Sequence, residues 1–222
     1  MAARRRSGST SRPPLDRQQV LAAAMALADE EGLAAVSMRR LGERLGVEAM
    51  SLYNHVANKE DIMDGIADAV LDSIELPSDC ADWKDAMRRR AASLRTVLSQ
   101  HPWAAALAGT RSRPGPVTLR YADWVLGCLR RAGFSPDMVS RAFWVLDSYI
   151  YGFVSQEATL ASAGPAAEEQ GEYTRSQPVE EYPYLIEASK TYAAGPGWDF
   201  DEEFAFGLDM ILEALDRQLN PS

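Results

Sequence analysis

The chain has few of the residues from which metal sites, disulfides and membrane spans are built. Its 222 residues include only two cysteines and two histidines. Cys80 and Cys128 lack the spacing of metal or redox motifs, so we expect two reduced thiols. No apolar run approaches the roughly 20 residues of a membrane-spanning helix. We therefore expect a cytoplasmic protein with no metal, no cofactor and no membrane partner.

The motifs of common enzymes are missing as well. We find no glycine-rich phosphate loop, no nucleophile elbow and no zinc-ligand spacing. A helical enzyme is the alternative that these absences disfavour. Apolar residues make up 46% of the chain and charged residues 25%, which is ordinary for a soluble globular protein.

The net charge of −9 is unevenly distributed along the chain. Residues 1–60 carry nine Lys and Arg against seven Asp and Glu, whereas the remainder carries 14 against 25. Residues 1–13 include Arg4, Arg5 and Arg6 but no apolar segment, so we expect a disordered basic arm rather than a secretory signal. This arm either contacts DNA or serves as a solubilising tail.

The segment from Leu33 to Lys59 has the pattern of two short helices joined by a tight turn. Leu41 and Leu45 are four residues apart and share one helical face. Ser37 can cap the first helix, and Gly46 suits the left-handed conformation that ends it. A second helix follows from Glu48 to His55. The spacing alone also fits an ordinary helical hairpin within a core.

The outward positions of the second helix decide between these interpretations. They combine small, hydroxyl, amide and imidazole side chains, which can approach a DNA groove closely and contact phosphates or base edges. These positions are Ala49, Met50, Ser51, Tyr53, Asn54 and His55. The pattern predicts a helix-turn-helix motif.

The run S-M-R-R-L-G-x-x-L-G-V-x-x-M-S-L-Y-N-H-V-x-N-K-E-D-I resembles the DNA-binding domain of the tetracycline-repressor (TetR/AcrR) family. The resemblance implies that the second helix of the motif is the recognition helix and that its outward residues contact DNA. It also implies DNA contacts from Arg39 and from Lys59, which lies at the start of the next helix and contacts a phosphate. At positions where the tetracycline repressor binds drug and magnesium, this chain has Glu75, Arg90, Leu94 and Leu107. A leucine cannot ligate a metal, so we expect a different effector.

The rest of the chain predicts further helices without a repeat of the first module. Asp82 and Ser135-Pro136 are clear helix starts. We expect the long helix 136–163 to be followed by a mobile loop, 164–181, and the last helix to span 199–219. Helices 136–163 and 199–219 have apolar residues on more than one face, so we expect them to form a dimer interface or, alternatively, to pack within one subunit.

Aromatic residues concentrate in the second half and could line a pocket for an apolar or aromatic effector. The candidates are Trp103, Trp124, Phe143, Trp144, Tyr149, Tyr151, Phe153 and Gln156. We expect the run Arg88-Arg89-Arg90 to be solvent-exposed and therefore expect few buried cations near this pocket.

The expected fold is all-α, with an N-terminal three-helix DNA-binding domain and a C-terminal helical domain. We assign residues 14–60 to DNA binding, 61–77 to a connecting helix, and 78–222 to effector binding and dimerisation. We expect a homodimeric transcriptional regulator that acts as a repressor and dissociates from a palindromic operator when a small molecule binds. The alternatives are a helical enzyme and a DNA-binding architectural protein without an effector.

Overall fold

We describe a computed structural model of the chain that covers residues 14–107, 114–163, 165–191 and 199–219. Within these residues every regular element is helical, as the sequence predicts. The predicted basic arm, 1–13, lies outside the described residues. The chain divides into two compact units, Met1–Ile66 and Ala67–Ser222.

The first unit is built from short helices around a small apolar core. It contains α1 (Arg17–Glu31), a single 3-10 turn (Leu33–Ala35), α2 (Met38–Leu45), α3 (Ala49–Leu52) and the first half of α4 (Lys59–Asp72). The Asp16 carboxylate accepts a hydrogen bond from Gln19 N at 2.8 Å and so caps α1. Val20, Leu27, Leu41, Leu52 and Ile62 are fully or almost fully buried and form its centre.

The second unit contains the remaining helices of the described chain. These are α5 (Trp83–Gln100), α6 (Ala104–Leu107), α7 (Pro116–Arg131), α8 (Pro136–Ala163), α9 (Pro165–Arg175), α10 (Pro183–Thr191) and α11 (Phe200–Leu219). The helix α8 packs against α5, α7 and α11 and is therefore central to this unit. None of the helices in the described ranges is long and apolar enough to cross a membrane.

The predicted helix starts agree with the structure. The Asp82 carboxylate accepts hydrogen bonds from Lys84 N and Asp85 N at 3.0 and 3.1 Å, and α5 begins at the next residue. The Ser135 hydroxyl accepts a hydrogen bond from Met138 N at 3.3 Å at the start of α8. These caps satisfy amide groups that have no partner inside the helix.

Two predicted boundaries are wrong. The α-helical part of the recognition helix ends at Leu52 rather than His55, because Tyr53 N and Asn54 N bond carbonyls three residues back. Residues 165–175 form a helix, α9, instead of a loop. Its alanine, glutamate and glutamine content favours a helix, and this outweighs the polarity that suggested a loop.

Candidate DNA-contact surface and effector cavity

The turn between α2 and α3 depends on two glycines. Gly46 has φ 67° and ψ 37°, the left-handed conformation that a glycine adopts without steric cost. A Cβ on Gly42 would lie 2.8 Å from Val47 O and 3.1 Å from Ala49 N. The two helices can therefore approach closely only because residue 42 has no side chain.

The side chains predicted to contact DNA are exposed or half-buried. Leu52 is fully buried and anchors α3, whereas Met50 is 73% exposed and Tyr53 48% exposed. Asn54, Lys59 and Arg39 are exposed, and Ala49, Ser51 and His55 are half-buried. We call these eight residues the recognition surface. An exposed methionine and tyrosine on a short helix are available for apolar contacts in a groove.

Each arginine of the first unit that the structure describes is paired with a carboxylate of the same unit. Arg39 contacts Glu43 at 2.6 Å, Arg40 contacts Glu31 at 2.5 Å and Arg44 contacts Glu30 at 2.6 Å. The Arg39 and Glu43 side chains are 76% and 55% exposed, so their attraction is weak. Arg39 can exchange this carboxylate for a phosphate at little cost.

A bidentate ion pair holds the segment that follows the recognition helix. Nη1 and Nη2 of Arg17 each donate to the Asp61 carboxylate at 2.7 Å, and Asp61 also accepts a hydrogen bond from Ala57 N at 2.9 Å. The hydrogen bond from Arg17 lowers the pKa of Asp61. These contacts join the start of α1 to the start of α4, where Lys59 lies.

The second unit contains a cavity of about 850 Å³ that is partly open to solvent. Its walls come from α4, α5, α6, α7 and α8, and most of its apolar lining residues are alanine or leucine. Its polar lining residues are Thr118, Tyr121, Asp147, Ser148, Tyr151 and Ser155. This volume and an apolar wall with a few polar groups are typical of sites for small organic molecules.

The cavity brings together some of the predicted effector-contacting residues and not others. Phe143, Trp144 and Tyr151 line it. Tyr149 and Phe153 instead pack on Phe204, with ring centroids 5.5 and 5.1 Å away. The remaining three lie outside the cavity lining: Trp103 is buried, Trp124 donates to Pro77 O, and Gln156 is exposed.

The expectation that Arg90 is solvent-exposed is wrong. Arg88 and Arg89 are partly exposed, but Arg90 is fully buried and bonded to Tyr121 and Asp147. Its position was readable from the helical period, since residue 90 falls between the buried Met87 and Leu94 on one face of α5. The run of three arginines obscured this signal.

Burial governs the ionisation of the polar residues beside Arg90. It raises the pKa of the Asp147 carboxyl, and the positive charge of Arg90 opposes this shift. Burial also raises the pKa of Tyr151 to about 12, so this phenol stays protonated at neutral pH and can donate a hydrogen bond.

The recognition surface and the cavity together define a class of protein. A helix-turn-helix with an exposed second helix is suited to DNA, and a helical body with a large cavity is suited to a small molecule. The combination is that of a DNA-binding regulator controlled by a ligand.

Comparison with known families identifies the class more closely. Residues 20–66 match the N-terminal domain of bacterial regulatory proteins of the tetR family, and residues 76–219 match the tetracyclin repressor-like C-terminal domain. The chain belongs to this family. It is a ligand-responsive, DNA-binding transcriptional regulator.

Individual relatives cover most of the chain. It is 36% identical to an HTH-type transcriptional regulator of Saccharopolyspora erythraea, over 86% of this chain and 80% of the relative. It is 33% identical to the HTH-type transcriptional repressor DrrR1 of Streptomyces coeruleorubidus, over 96% and 81%. The structure of Streptomyces coelicolor ActR in complex with actinorhodin is similar with a TM-score of 0.80 and 26% identity, over 93% and 99%.

Proposed function

We propose that the protein is a homodimeric repressor that binds an inverted-repeat operator and leaves it when a small aromatic molecule enters the cavity. The assignment of residues 14–60 to DNA binding, 61–77 to a connection and 78–222 to effector binding and dimerisation is part of this proposal. The relatives named above are regulators or repressors, which favours this function over an enzymatic one.

One observation carries the proposal: the helix α4 has a DNA-binding candidate at its start and cavity walls at its end. Lys59 is its first residue, and Ala67, Val70 and Leu71 line the cavity. From residue 59 to residue 70 the helix rises by about 16 Å. A ligand that contacts the end of α4 therefore acts on the same helix that carries Lys59.

This mechanism is a shift between two populations of the dimer. The ligand weakens DNA binding only to the extent that it binds more tightly to the form of the dimer that binds DNA poorly. Two recognition surfaces must lie about 34 Å apart to read successive major grooves together. An architectural DNA-binding protein has no use for a cavity of about 850 Å³, and this favours a regulator.

The proposal is supported from the ligand side by ActR, whose structure contains actinorhodin. By analogy we assign a small organic effector to the cavity. Phe143 and Trp144 in its wall favour an aromatic one. No histidine occurs among the described residues that line it, and Leu107 lies in its wall, which argues against a drug–magnesium complex.

The test begins with genomic fragments selected by the purified protein, which should contain an inverted repeat. Lys59→Ala and Tyr53→Ala should each weaken binding to that site without loss of folding. Lys59→Ala should also reduce the steepness of the plot of log K against log[salt] by about one unit of slope, because one phosphate contact is lost.

The matched control is Lys84→Ala, which removes the same charge from a lysine of the second unit that is paired with Glu213 and Asp216. Its salt dependence should equal that of the unmodified protein. If Lys59→Ala and Lys84→Ala behave alike, the recognition surface is assigned incorrectly.

A further inference from the structure

Three helices of the second unit meet at a buried cluster of polar side chains. Arg90 of α5 donates through Nε to Tyr121 Oη of α7 at 2.8 Å. Its Nη2 donates to both Tyr121 Oη and Asp147 Oδ1 of α8. We call Arg90, Tyr121 and Asp147 the Arg90 cluster. It ties α5, α7 and α8 together at one wall of the cavity.

Packing alone gives no reason for this cluster. Arg90 is fully buried, and its Nη1 has no hydrogen-bond partner among the described residues. A buried ion pair is generally no more stabilising than apolar side chains of similar volume, and an unsatisfied buried donor is unfavourable. Such unfavourable arrangements are concentrated at functional sites.

The cluster is oriented towards the cavity. Asp147 and Tyr121 line it, whereas Arg90 lies outside the lining. Among the described residues that line the cavity, Asp147 is the only one with a formal charge. Arg90 is therefore a positioning residue, which holds the carboxylate and phenol that the ligand meets.

The available hydrogen-bonding groups define what this wall can recognise. A carboxylate only accepts hydrogen bonds, and Asp147 has one oxygen bonded to Arg90 and a second that remains available. Tyr121 Oη accepts two bonds from Arg90, which leaves its own hydrogen to be donated. The wall thus offers an ionised acceptor beside a phenolic donor.

The charges of the cluster favour a neutral ligand. The positive charge of Arg90 balances the negative charge of Asp147 at close range. A ligand with a net charge would enter an apolar cavity without a counter-charge to balance it, which is unfavourable. A neutral hydroxyl, by contrast, can donate to Asp147 without disturbing the balance.

We propose that Asp147, positioned by Arg90 and Tyr121, selects effectors that are neutral aromatic molecules with a hydroxyl group on one edge. The hydroxyl donates to the Asp147 carboxylate, and the ring lies against the apolar wall that Phe143 and Trp144 contribute to. This inference rests on the proposed function, because it assigns the effector to the same cavity.

The experiment uses three small probes and equilibrium dialysis with the full chain at neutral pH. Naphthol has a hydroxyl donor, methoxynaphthalene has the same oxygen without a donor, and naphthoate has a negative charge. Naphthol should bind at least about tenfold more tightly than methoxynaphthalene, as expected for a hydrogen bond to a charged group. Naphthoate should bind more weakly than naphthol.

The variant that tests the cluster is the charge-free Arg90→Met/Asp147→Leu. It should bind naphthol and methoxynaphthalene with nearly equal affinity. The matched control is Arg95→Met/Glu157→Leu, because Arg95 and Glu157 pair at 2.7 Å between the same two helices but lie outside the cavity lining. This control should keep the preference for naphthol.

If the Arg90→Met/Asp147→Leu variant fails to fold, Asp147→Asn, which keeps the shape of the side chain, should reduce the preference several-fold. The inference is overturned if the unmodified protein does not prefer naphthol, if naphthoate binds best, or if the preference survives in the cluster variants. Operator binding is measured separately. If the protein does not bind an operator, the proposed function is overturned, but a preference for naphthol that depends on Asp147 remains valid.

Discussion

Trp144 and Phe153 lie nine residues apart on α8 and therefore point to opposite sides of the helix. Trp144 lines the cavity and is 69% exposed. Phe153 packs edge-on against Phe204 and Phe200, with ring centroids 5.1 and 6.4 Å away. The guanidinium of Arg95 lies 5.4 Å above its ring. The two aromatic residues thus have different roles, although the sequence suggests the same one.

Alanine substitutions should separate these roles. Phe153→Ala should lower the free energy of unfolding by about 2–3 kcal/mol, because it removes a half-buried ring from an aromatic cluster. Trp144→Ala should change stability by less than about 1 kcal/mol but weaken the effector's ability to release operator DNA. Urea unfolding and a DNA-release titration measure the two effects. A large stability loss in Trp144→Ala with a normal effector response would contradict the assignment.

Side-chain partners are the part of the site that the sequence could not supply. The helical period places Arg90 on the buried face of α5, but its partners Tyr121 and Asp147 are 31 and 57 residues further along the chain. Their meeting depends on how α5, α7 and α8 pack. Trp103 was a reasonable candidate for the pocket by composition, yet the residues that line the cavity are its neighbours Pro102 and Ala104.

At the scale of helices, α1 and α4 are joined at their starts by Arg17 and Asp61. The Arg17 side chain is 45% exposed and that of Asp61 30%. The same carboxylate accepts a hydrogen bond from Ala57 N, in the segment between the recognition helix and Lys59. The pair therefore helps to fix the segment on which the proposed phosphate contact of Lys59 depends.

The pH dependence of this pair has a definite sign. The pKa of Asp61 is lower in the folded protein than in the unfolded chain. Its contribution to stability is therefore complete above the unfolded pKa of about 4 and is lost as the pH falls through the folded pKa. Arg17→Leu should reduce the free energy of unfolding by about 1 kcal/mol or less at pH 7, since both side chains are partly exposed.

Urea unfolding at pH 7 and at pH 3 measures this effect, and the difference between Arg17→Leu and the unmodified protein should shrink at the lower pH. Arg39→Leu is the matched control, because its partner Glu43 is 55% exposed. It should change stability little at either pH. A deficit in Arg17→Leu that stays constant from pH 7 to pH 3 would show that lost packing, and not the ion pair, is responsible.

Helix boundaries were predictable where a cap marks them and less so elsewhere. Ser37, Asp82 and Ser135 each place a side-chain oxygen near an amide at a helix start, and the predicted starts agree with the structure. The helix α9 carries no comparable signal within the described residues. Its polar composition therefore predicts a loop, although the same residue types have high helix propensity.

At the scale of the whole molecule, the two-part organisation was predictable and the cavity was not. The change in charge along the chain and the helix-turn-helix pattern both indicated a separate N-terminal module, and the chain divides after Ile66. The cavity results from the packing of five helices whose apolar residues have no sequence pattern distinct from that of a filled core. Only coordinates distinguish the two cases.

The structure also decides which residues of the proposed dimer interface should be substituted to test it. Leu208 and Leu212 of α11, which the apolar pattern suggests for an interface, are 3% and 0% exposed within one subunit. Phe206 and Met210 on the same helix are 66% and 59% exposed. Arginine at Leu208 or Leu212 would therefore test the subunit core, whereas arginine at Phe206 or Met210 would test assembly.

We expect the unmodified protein to sediment as a dimer at micromolar concentration and the Phe206→Arg/Met210→Arg variant to sediment as a folded monomer. The reason is that an interface would bury two charges without partners, whereas in the monomer both remain in solvent. Leu212→Arg should instead unfold the subunit.

Leu119→Arg is the control, because Leu119 is 56% exposed but lies on α7, outside the proposed interface. This variant should remain dimeric. A dimeric Phe206→Arg/Met210→Arg variant would move the interface to another surface, and a monomeric unmodified protein would remove the two-fold arrangement that binding to an inverted repeat requires.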